Sequence, residues 1–155
     1  SANYQHIKKE DFSFAESNDH KVNVKVIAGN FFDYKGKIIS QTDLNVYIID
    51  SKKAGEINIP IKKNHQTLLY LIEGDVTVND TILLRKNENQ MIQFNNDGEG
   101  FQLRANSTSK LLFLSGVPIN EKVISYGPYV MNTQTEILEA MRDYQMGKMG
   151  FLPRN

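Results

Sequence analysis

Three histidines supply all the imidazole groups of this 155-residue chain, and cysteine is absent. A metal centre of imidazole and carboxylate ligands needs three or four such side chains that converge on one point, and these normally come from more than one strand of a β-protein. His65 precedes an apolar run that leads to Glu73, but no histidine follows it. His6 and His20 lie in polar segments, and we interpret both as solvated. The spacing therefore predicts that none of the three binds a metal.

Two tyrosines beside a glycine–proline bend are the next candidates for a ligand-binding site. Tyr126 and Tyr129 flank Gly127-Pro128, where their hydroxyls could hydrogen-bond a small molecule, with His65 as a third polar group. The commoner use of tyrosine is packing, with the ring buried and the hydroxyl in water. For His65 the alternative is a turn or surface position, and both alternatives stay open.

Glu73 and Asp75, on either side of Gly74, could form an acid pair, but a hairpin position favours solvated turn carboxylates. The chain has no phosphate-binding loop, dinucleotide fingerprint or nucleophile elbow. Lys plus Arg and Asp plus Glu each number 18, which gives no electrostatic reason to expect nucleic acid or an anionic membrane. No apolar run approaches the roughly 20 residues that span a bilayer. We therefore expect a cytoplasmic protein with no direct nucleic-acid or membrane partner.

Short strands must position these groups. Apolar residues alternate with polar ones at 22–26 and again at 44–48, which predicts two half-buried strands. Their expected inward side chains are Val22, Val24 and Val26, then Leu44, Val46 and Ile48. The run Thr67–Ile72 predicts a strand buried on both faces, and Asn79-Asp80 predicts a tight turn. Nine or ten such strands, up to about residue 115, indicate an all-β sandwich or barrel.

One strong helix is predicted near the end of the chain, over about 133–146. Thr133 and Glu136 have the spacing of a capping box, and Gly147 suits the position just after the helix. An apolar stripe follows at i, i+4 and i+7, namely Ile137, Met141 and Tyr144. The stripe either covers one end of its own barrel or docks a partner. Residues 1–155 are predicted to form a single domain.

Four stretches show a family resemblance. They are Asn3–Glu10, Val24–Gly29, the hairpin Leu69–Val78 and the long segment from Gly116 through Thr133 to Gly150. They are distributed along nearly the whole length of the chain and resemble the C-terminal half of pirin-family proteins, which belong to the cupin superfamily. Two small departures are Val117, where an acidic residue is common, and Lys122, where a proline is common.

The resemblance implies a single cupin-type β-barrel or jelly roll, with strands at about 22–115, a closing segment at 116–132 and one C-terminal α-helix. It also implies a two-barrel protein of roughly twice this length, whose N-terminal barrel binds iron or another divalent metal. Some relatives oxidise quercetin with dioxygen, and the eukaryotic protein is a redox-responsive transcription cofactor. The positions that match the metal ligands are Pro60, Lys62 and Gln66. No catalytic residue and no cofactor are therefore expected in this chain.

Three functions remain open at this stage. The first is a metal-free structural half that packs on an N-terminal cupin barrel of the same protein or on a second copy. The second is a pirin-like quercetin dioxygenase, an isomerase or a small-ligand-binding cupin that uses the barrel cavity, with His65 and Tyr126 as polar groups. The third is a stand-alone protein-interaction module. We favour the first function, under which this chain on its own is expected not to be an enzyme.

Overall fold

The protein folds mainly into β-strands. The structure, a computed structural model, describes residues 6–150 apart from the side chain of Lys9. After a 3-10 turn at Lys9–Asp11, the strands in this range are β1 (Ser13–Glu16), β2 (Val22–Ala28), β3 (Asn30–Phe31), β4 (Tyr34–Lys35), β5 (Leu44–Ser51), β6 (Glu56–Pro60), β7 (Gln66–Glu73), β8 (Asp75–Val78), β9 (Ile82–Arg85), β10 (Met91–Phe94), β11 (Gly100–Ala105), β12 (Ser109–Gly116), β13 (Ile124–Tyr126) and β14 (Tyr129–Met131). The helix α1 spans Gln134–Gln145.

The chain forms two compact units, the first ending at Pro118 and the second beginning at Ile119. The first unit contains a six-stranded antiparallel sheet in the order β1-β2-β5-β12-β7-β10 and a four-stranded sheet in the order β6-β11-β8-β9. The late strand β12 lies between β5 and β7, so that Ser115 is opposite both Asn45 and Thr67. The sheet therefore depends on pairings between distant parts of the chain.

Alternate residues of both sheets meet in one apolar core. In β2 the predicted inward residues Val22, Val24 and Val26 are all buried, which confirms that strand. The centre of the core is aromatic: the Tyr47 and Phe113 rings stack with centroids 4.8 Å apart and planes at 5°. The four-stranded sheet contributes to the same core, so the two sheets close on each other as in a barrel or jelly roll.

The inward face of β5 differs from the prediction. Asn45, Tyr47 and Ile49 are buried, whereas the residues at 44, 46 and 48 are half-buried on the opposite face. The predicted inward set was therefore wrong by one residue, which reverses every side chain of a strand. Apolar side chains occupy both faces here, so polarity alone favoured the wrong one.

Strand β7 is buried on one face only. Leu69 and Leu71 have no exposed surface, while Tyr70 is 41% and Ile72 is 38% exposed. The prediction that this run is buried on both faces was wrong, because only one side of the six-stranded sheet faces the core. The apolar residues on its other side form part of the protein surface.

Tight turns and glycines follow their expected chemistry. Asn79 and Asp80 both have positive φ, at 49° and 57°, which confirms the predicted turn between β8 and β9. Gly74 joins β7 to β8 with φ at 99°, and a Cβ there would lie 2.2 Å from Ser109 Oγ. Glycine at position 74 therefore satisfies both the backbone angle and the close approach of β12.

The second unit consists of a hairpin and the helix. Strands β13 and β14 pair antiparallel, with Tyr126 opposite Tyr129 across the turn at Gly127, whose φ is 55°. The capping box is present, since Glu136 N–H donates to Thr133 Oγ1 at 3.2 Å and Thr133 N–H donates to Glu136 Oε2 at 2.8 Å. The predicted helix is thereby confirmed. Strands β1, β13 and β14 lie outside the predicted strand region of 22–115.

The apolar stripe of α1 is shorter than predicted. Ile137 and Ala140 are its buried residues, Met141 is half-buried and Tyr144 is 65% exposed. The predicted stripe was thus wrong at Tyr144. Whether the helix covers its own barrel or docks a partner stays a prediction, and so does the assignment of residues 1–155 to a single domain. In the part of the chain that the structure describes, no helix has the length and apolar character to cross a bilayer.

Candidate functional site

His65 lies directly before β7 and is fully buried. Its backbone N–H donates to the backbone carbonyl of Lys62 at 3.0 Å, which confirms the turn position. The surface prediction was wrong, because His65 shares the alternation of Thr67, Leu69 and Leu71, whose side chains all point into the core. A ligand could reach the ring only by displacing its packed neighbours.

A polar network surrounds the His65 ring. Its Nδ1 lies 3.1 Å from Ser115 Oγ in β12, and Asn45 Nδ2 donates to the same oxygen at 3.3 Å. Asn30 N–H donates to Asn45 Oδ1 at 3.0 Å, and Tyr47 OH donates to Asn30 O. Burial, and secondarily the charge of Asp43, raise the pKa of the Tyr47 hydroxyl well above its usual range, so it remains a donor. The network joins the central strands at one end of the sheet.

Asp43 closes this network at the surface. Its side chain is 49% exposed and its carboxylate oxygens both lie 2.8 Å from Lys62 Nζ. Oδ2 is also 3.3 Å from His65 Nε2, close enough for an electrostatic contact but without the alignment of a hydrogen bond. The hydrogen bond from Lys62, with a smaller contribution from His65, lowers the pKa of Asp43. The carboxylate therefore stays ionised above the buried imidazole.

Ser115, His65 and Asp43 are the residue types of a hydrolase triad, but this arrangement does not support nucleophilic catalysis. A nucleophilic hydroxyl must reach its substrate. Ser115 is only 6% exposed and already accepts a hydrogen bond from Asn45. The cavities of the first unit that are described below are lined by other residues. The cluster is therefore a structural link between strands.

The positions that would correspond to a barrel metal site do not carry metal ligands. Pro60, Lys62 and Gln66 all have exposed side chains, and the inward-facing residues one position away include Ile59 and Thr67. An alkyl group and a hydroxyl do not replace imidazole and carboxylate ligands. Among residues 6–150, with the side chain of Lys9 set aside, no group of three or more His, Cys, Asp or Glu could hold a metal ion. These residues do not fit a metal centre.

Tyr126 and Tyr129 lie in the second unit. Tyr126 is 60% exposed, Tyr129 is half-buried, and the two are cross-strand partners in the β13–β14 hairpin. His65 belongs to the first unit. A ligand-binding role for the two tyrosines and His65 stays a prediction.

Sequence reasoning missed an apolar surface on the outer side of the six-stranded sheet. In one cross-strand row, Ile48 faces Leu112, Leu112 faces Tyr70, and Tyr70 faces Met91. A second row pairs Leu114 with both Val46 and Leu68. We call these residues the outer apolar face: Val46, Ile48, Leu68, Tyr70, Met91, Leu112 and Leu114. The signal was present in the sequence, because β5, β7 and β12 have apolar residues at both alternating positions.

Asp75 is the one member of the candidate acid pair with a structural role. Its carboxylate accepts hydrogen bonds from Arg85 Nε at 2.8 Å and Asn106 Nδ2 at 2.7 Å, and its side chain is 26% exposed. The hydrogen bond from Asn106, followed by that from Arg85, lowers the pKa of Asp75. The solvated-carboxylate prediction therefore suits the exposed Glu73 and is wrong for Asp75, which ties β8 to β9 and to the β11–β12 turn.

Replacing Asp75 with asparagine should lower the free energy of unfolding by about 1 kcal/mol at neutral pH. Because folding lowers the pKa of this carboxyl, its stabilising effect is complete above the ordinary value of 3.8 and is lost as the pH falls through the lower folded value. Urea unfolding at several pH values measures the difference, which should shrink below pH 3.8. Asp50→Asn is the control, since Asp50 is half-exposed beside Lys110 and should matter less. Equal effects of both variants would contradict the prediction.

Two antiparallel sheets closed on one apolar core, together with one α-helix among residues 6–150, define this chain as a cupin-type barrel. A crystal structure described as quercetin 2,3-dioxygenase from Acinetobacter baumannii superposes on it with a TM-score of 0.88 at 36% identity, covering 96% of this chain and 51% of that one. Residues 46–150 match the family model of the pirin C-terminal cupin domain. The chain belongs to the pirin family, as predicted from its sequence.

Relatives in other organisms show the same relationship. A pirin-like protein of Solanum lycopersicum is 32% identical over 150 residues, covering 96% of this chain and 50% of that protein. The pirin of Homo sapiens is 29% identical over 150 residues, covering 96% of this chain and 51% of that protein. The chain thus spans about half the length of the curated relatives it matches.

Proposed function

We propose that this barrel is the structural half of a two-barrel pirin-like protein, and that its outer apolar face packs onto a second β-barrel. The observation that supports this most directly is the exposure of that face. Met91 is 62%, Tyr70 is 41% and Leu114 is 37% exposed. Monomeric proteins rarely leave a contiguous apolar patch of this kind in water, and such patches mark interaction sites.

The shape of the outer apolar face suits another sheet. It extends over four neighbouring strands, β5, β12, β7 and β10, which is about 14 Å across at the usual strand spacing. Two sheets pack face to face through alternating apolar side chains of this type. The chain matches half of its relatives' length. The simplest partner for the outer apolar face is therefore a second barrel in the same polypeptide.

This half would work without a metal of its own. The proposal follows from the donor groups described above, since Ile59 and Thr67 face inward where a ligand set would need imidazole and carboxylate. The barrel then contributes packing area and a wall beside its partner, and any metal-dependent oxidation belongs to the partner barrel. A cytoplasmic location completes the proposal, because a chain without cysteine needs no oxidising compartment to form disulfides.

Sedimentation velocity over a range of concentrations tests the outer apolar face. Without another barrel to cover it, the purified chain should self-associate as concentration rises. The double variant Tyr70→Glu/Met91→Glu places two charges on the face and should weaken association at least about tenfold, since burying a charge is costly. Ile82→Glu/Leu83→Glu is the matched control, because these residues are 44% and 37% exposed on β9 of the other sheet.

Three outcomes would contradict the proposed function. A wild-type chain that is strictly monomeric at high concentration would argue against an interacting face, as would equal effects of the two double variants. Stoichiometric iron retained by the purified chain, with quercetin-dependent oxygen uptake, would show that this barrel is an enzyme in its own right.

A further inference from the structure

Two cavities in the first unit meet at an exposed aromatic ring. Their volumes are about 380 and 580 Å³, and Phe32 and Asn58 line both of them. Phe32 lies in the turn between β3 and β4 and is 69% exposed. The two cavities therefore form a groove that passes on both sides of one phenyl ring, beside the edge strand β6.

The backbone of Phe32 is strained, but its ring is well supported. Its φ is 48°, in the left-handed region that bulky residues rarely adopt. The ring contacts Phe31 edge to face with centroids 4.8 Å apart, and Phe31 contacts the buried Tyr47 at 5.4 Å in the same way. An exposed ring contributes little to the stability of the core. Packing alone therefore does not explain why Phe32 keeps a strained backbone conformation. Strain of this kind occurs most often at functional sites.

Side-chain amides lie along the same groove. Asn58 of β6 and Gln102 of β11 are directly opposite each other, and neither side chain hydrogen-bonds to another described residue. Asn79 also lines the smaller cavity, and its Oδ1 accepts a hydrogen bond from Gln102 N–H at 2.9 Å, which leaves the Asn79 NH₂ group free to donate. A carboxamide both donates and accepts, which is what recognition of neighbouring hydroxyl groups needs.

Most charges around the groove are compensated. Three of the four carboxylates that line the two cavities have a lysine or arginine neighbour: Asp19 has Lys21 at 3.7 Å, Glu56 has Arg104 at 3.3 Å and Glu99 has Lys63 at 3.0 Å. The fourth, Glu16, lies 2.6 Å from His20 Nδ1, which compensates its charge only when the imidazole is protonated. A ligand with a net charge would therefore meet few unpaired counter-charges here. The groove is therefore suited to a neutral ligand with one apolar face and many polar groups.

We infer that Phe32, Asn58, Asn79 and Gln102 form a binding site for a saccharide. The C–H face of a sugar ring would lie on the Phe32 ring, while its neighbouring hydroxyls would exchange hydrogen bonds with the carboxamides. The cavity volumes accommodate sugar rings on both sides of Phe32. This inference concerns the four-stranded sheet and does not rest on the proposed packing of the outer apolar face.

The test is a titration of the 155-residue chain with maltohexaose, cellohexaose and xylohexaose, followed by ¹H–¹⁵N correlation spectra. We expect one of these saccharides to shift the backbone signal of Phe32 and the side-chain amide signals of Asn58 and Gln102. Phe32→Gly should weaken that binding at least tenfold while the unfolding midpoint stays the same or rises, since glycine accepts a positive φ. The control Tyr144→Ala removes an equally exposed ring from the second unit and should leave binding unchanged.

Four results would overturn the inference. One is the absence of shifts at these residues with all three saccharides up to their solubility limits. Another is saccharide binding that survives Phe32→Gly. The third is a lower unfolding midpoint for Phe32→Gly, which would make the ring a packing element. Shifts produced by quercetin but by no saccharide would also reject the sugar and assign the groove to a planar aromatic ligand.

Discussion

Replacing Gly74 with alanine should lower the free energy of unfolding by at least about 3 kcal/mol. The position has a φ of 99°, which alone is costly for any residue with a Cβ. The new methyl group would also lie 2.6 Å from Thr108 O and 2.7 Å from Ser109 Cα, and these backbone atoms cannot rotate away. Ser109 is further fixed by Asp75, whose N–H donates to Ser109 Oγ at 3.1 Å. Chemical denaturation followed by circular dichroism measures the loss.

Gly98→Ala provides the control for Gly74→Ala. At Gly98 the nearest atom to a new Cβ is Gly100 O at 3.9 Å, which is ordinary contact, and the φ is not in the left-handed region. We expect this variant to change the free energy of unfolding by less than about 1 kcal/mol, in the stabilising direction, because alanine restricts the unfolded chain. Similar losses for the two variants would show that the close approach of β12 to Gly74 is not what constrains the position.

His65→Ala should be the second most damaging of the substitutions considered. It removes a ring with no exposed surface, leaves a cavity between β7 and β12, and takes away one of the two partners of Ser115 Oγ, the other being Asn45. Large-to-small changes and lost buried hydrogen bonds together should cost about 2–4 kcal/mol of unfolding free energy. The same denaturation experiment measures this, with Ser115→Ala as a second variant that removes the hydroxyl without a large cavity.

His20→Ala is the matched control for this experiment. The His20 side chain is 75% exposed, and its one hydrogen-bond or ion-pair partner among the described residues is Glu16, so its loss should change the unfolding free energy by less than about 0.5 kcal/mol. If His65→Ala is as mild as His20→Ala, the buried network does not hold the strands together. A ligand-binding role for His65 would then regain support.

Local features of this fold could be predicted from the sequence because their determinants lie a few residues apart. The capping box of Thr133 and Glu136 acts over one helical turn, and the Asn79-Asp80 turn depends on residues that tolerate a positive φ. The alternation in β2 could also be recognised, because two of its three outward residues, Asn23 and Lys25, are polar. In each case one local pattern was sufficient.

The parts that failed depend on distant partners. Asn45 is buried because Ser115, 70 residues later, accepts its hydrogen bond, and no local pattern shows that pairing. For His65 the sequence left a turn or surface position open beside a ligand-binding role, and only its alternation with Thr67, Leu69 and Leu71 in the folded sheet places its side chain inside. The groove at Phe32 was not predicted either, since Asn58 and Gln102 are neighbours only after β6 pairs with β11.

The place of β12 between β5 and β7 also determines when the protein can fold on the ribosome. Until residues 109–116 have left the exit tunnel, β5 and β7 each have an unpaired edge and uncovered apolar side chains. While residues 74–116 are being synthesised, the nascent chain therefore carries two strands with an unpaired edge that favours aggregation. Closure of the six-stranded sheet is thus a late event in the synthesis of the first unit.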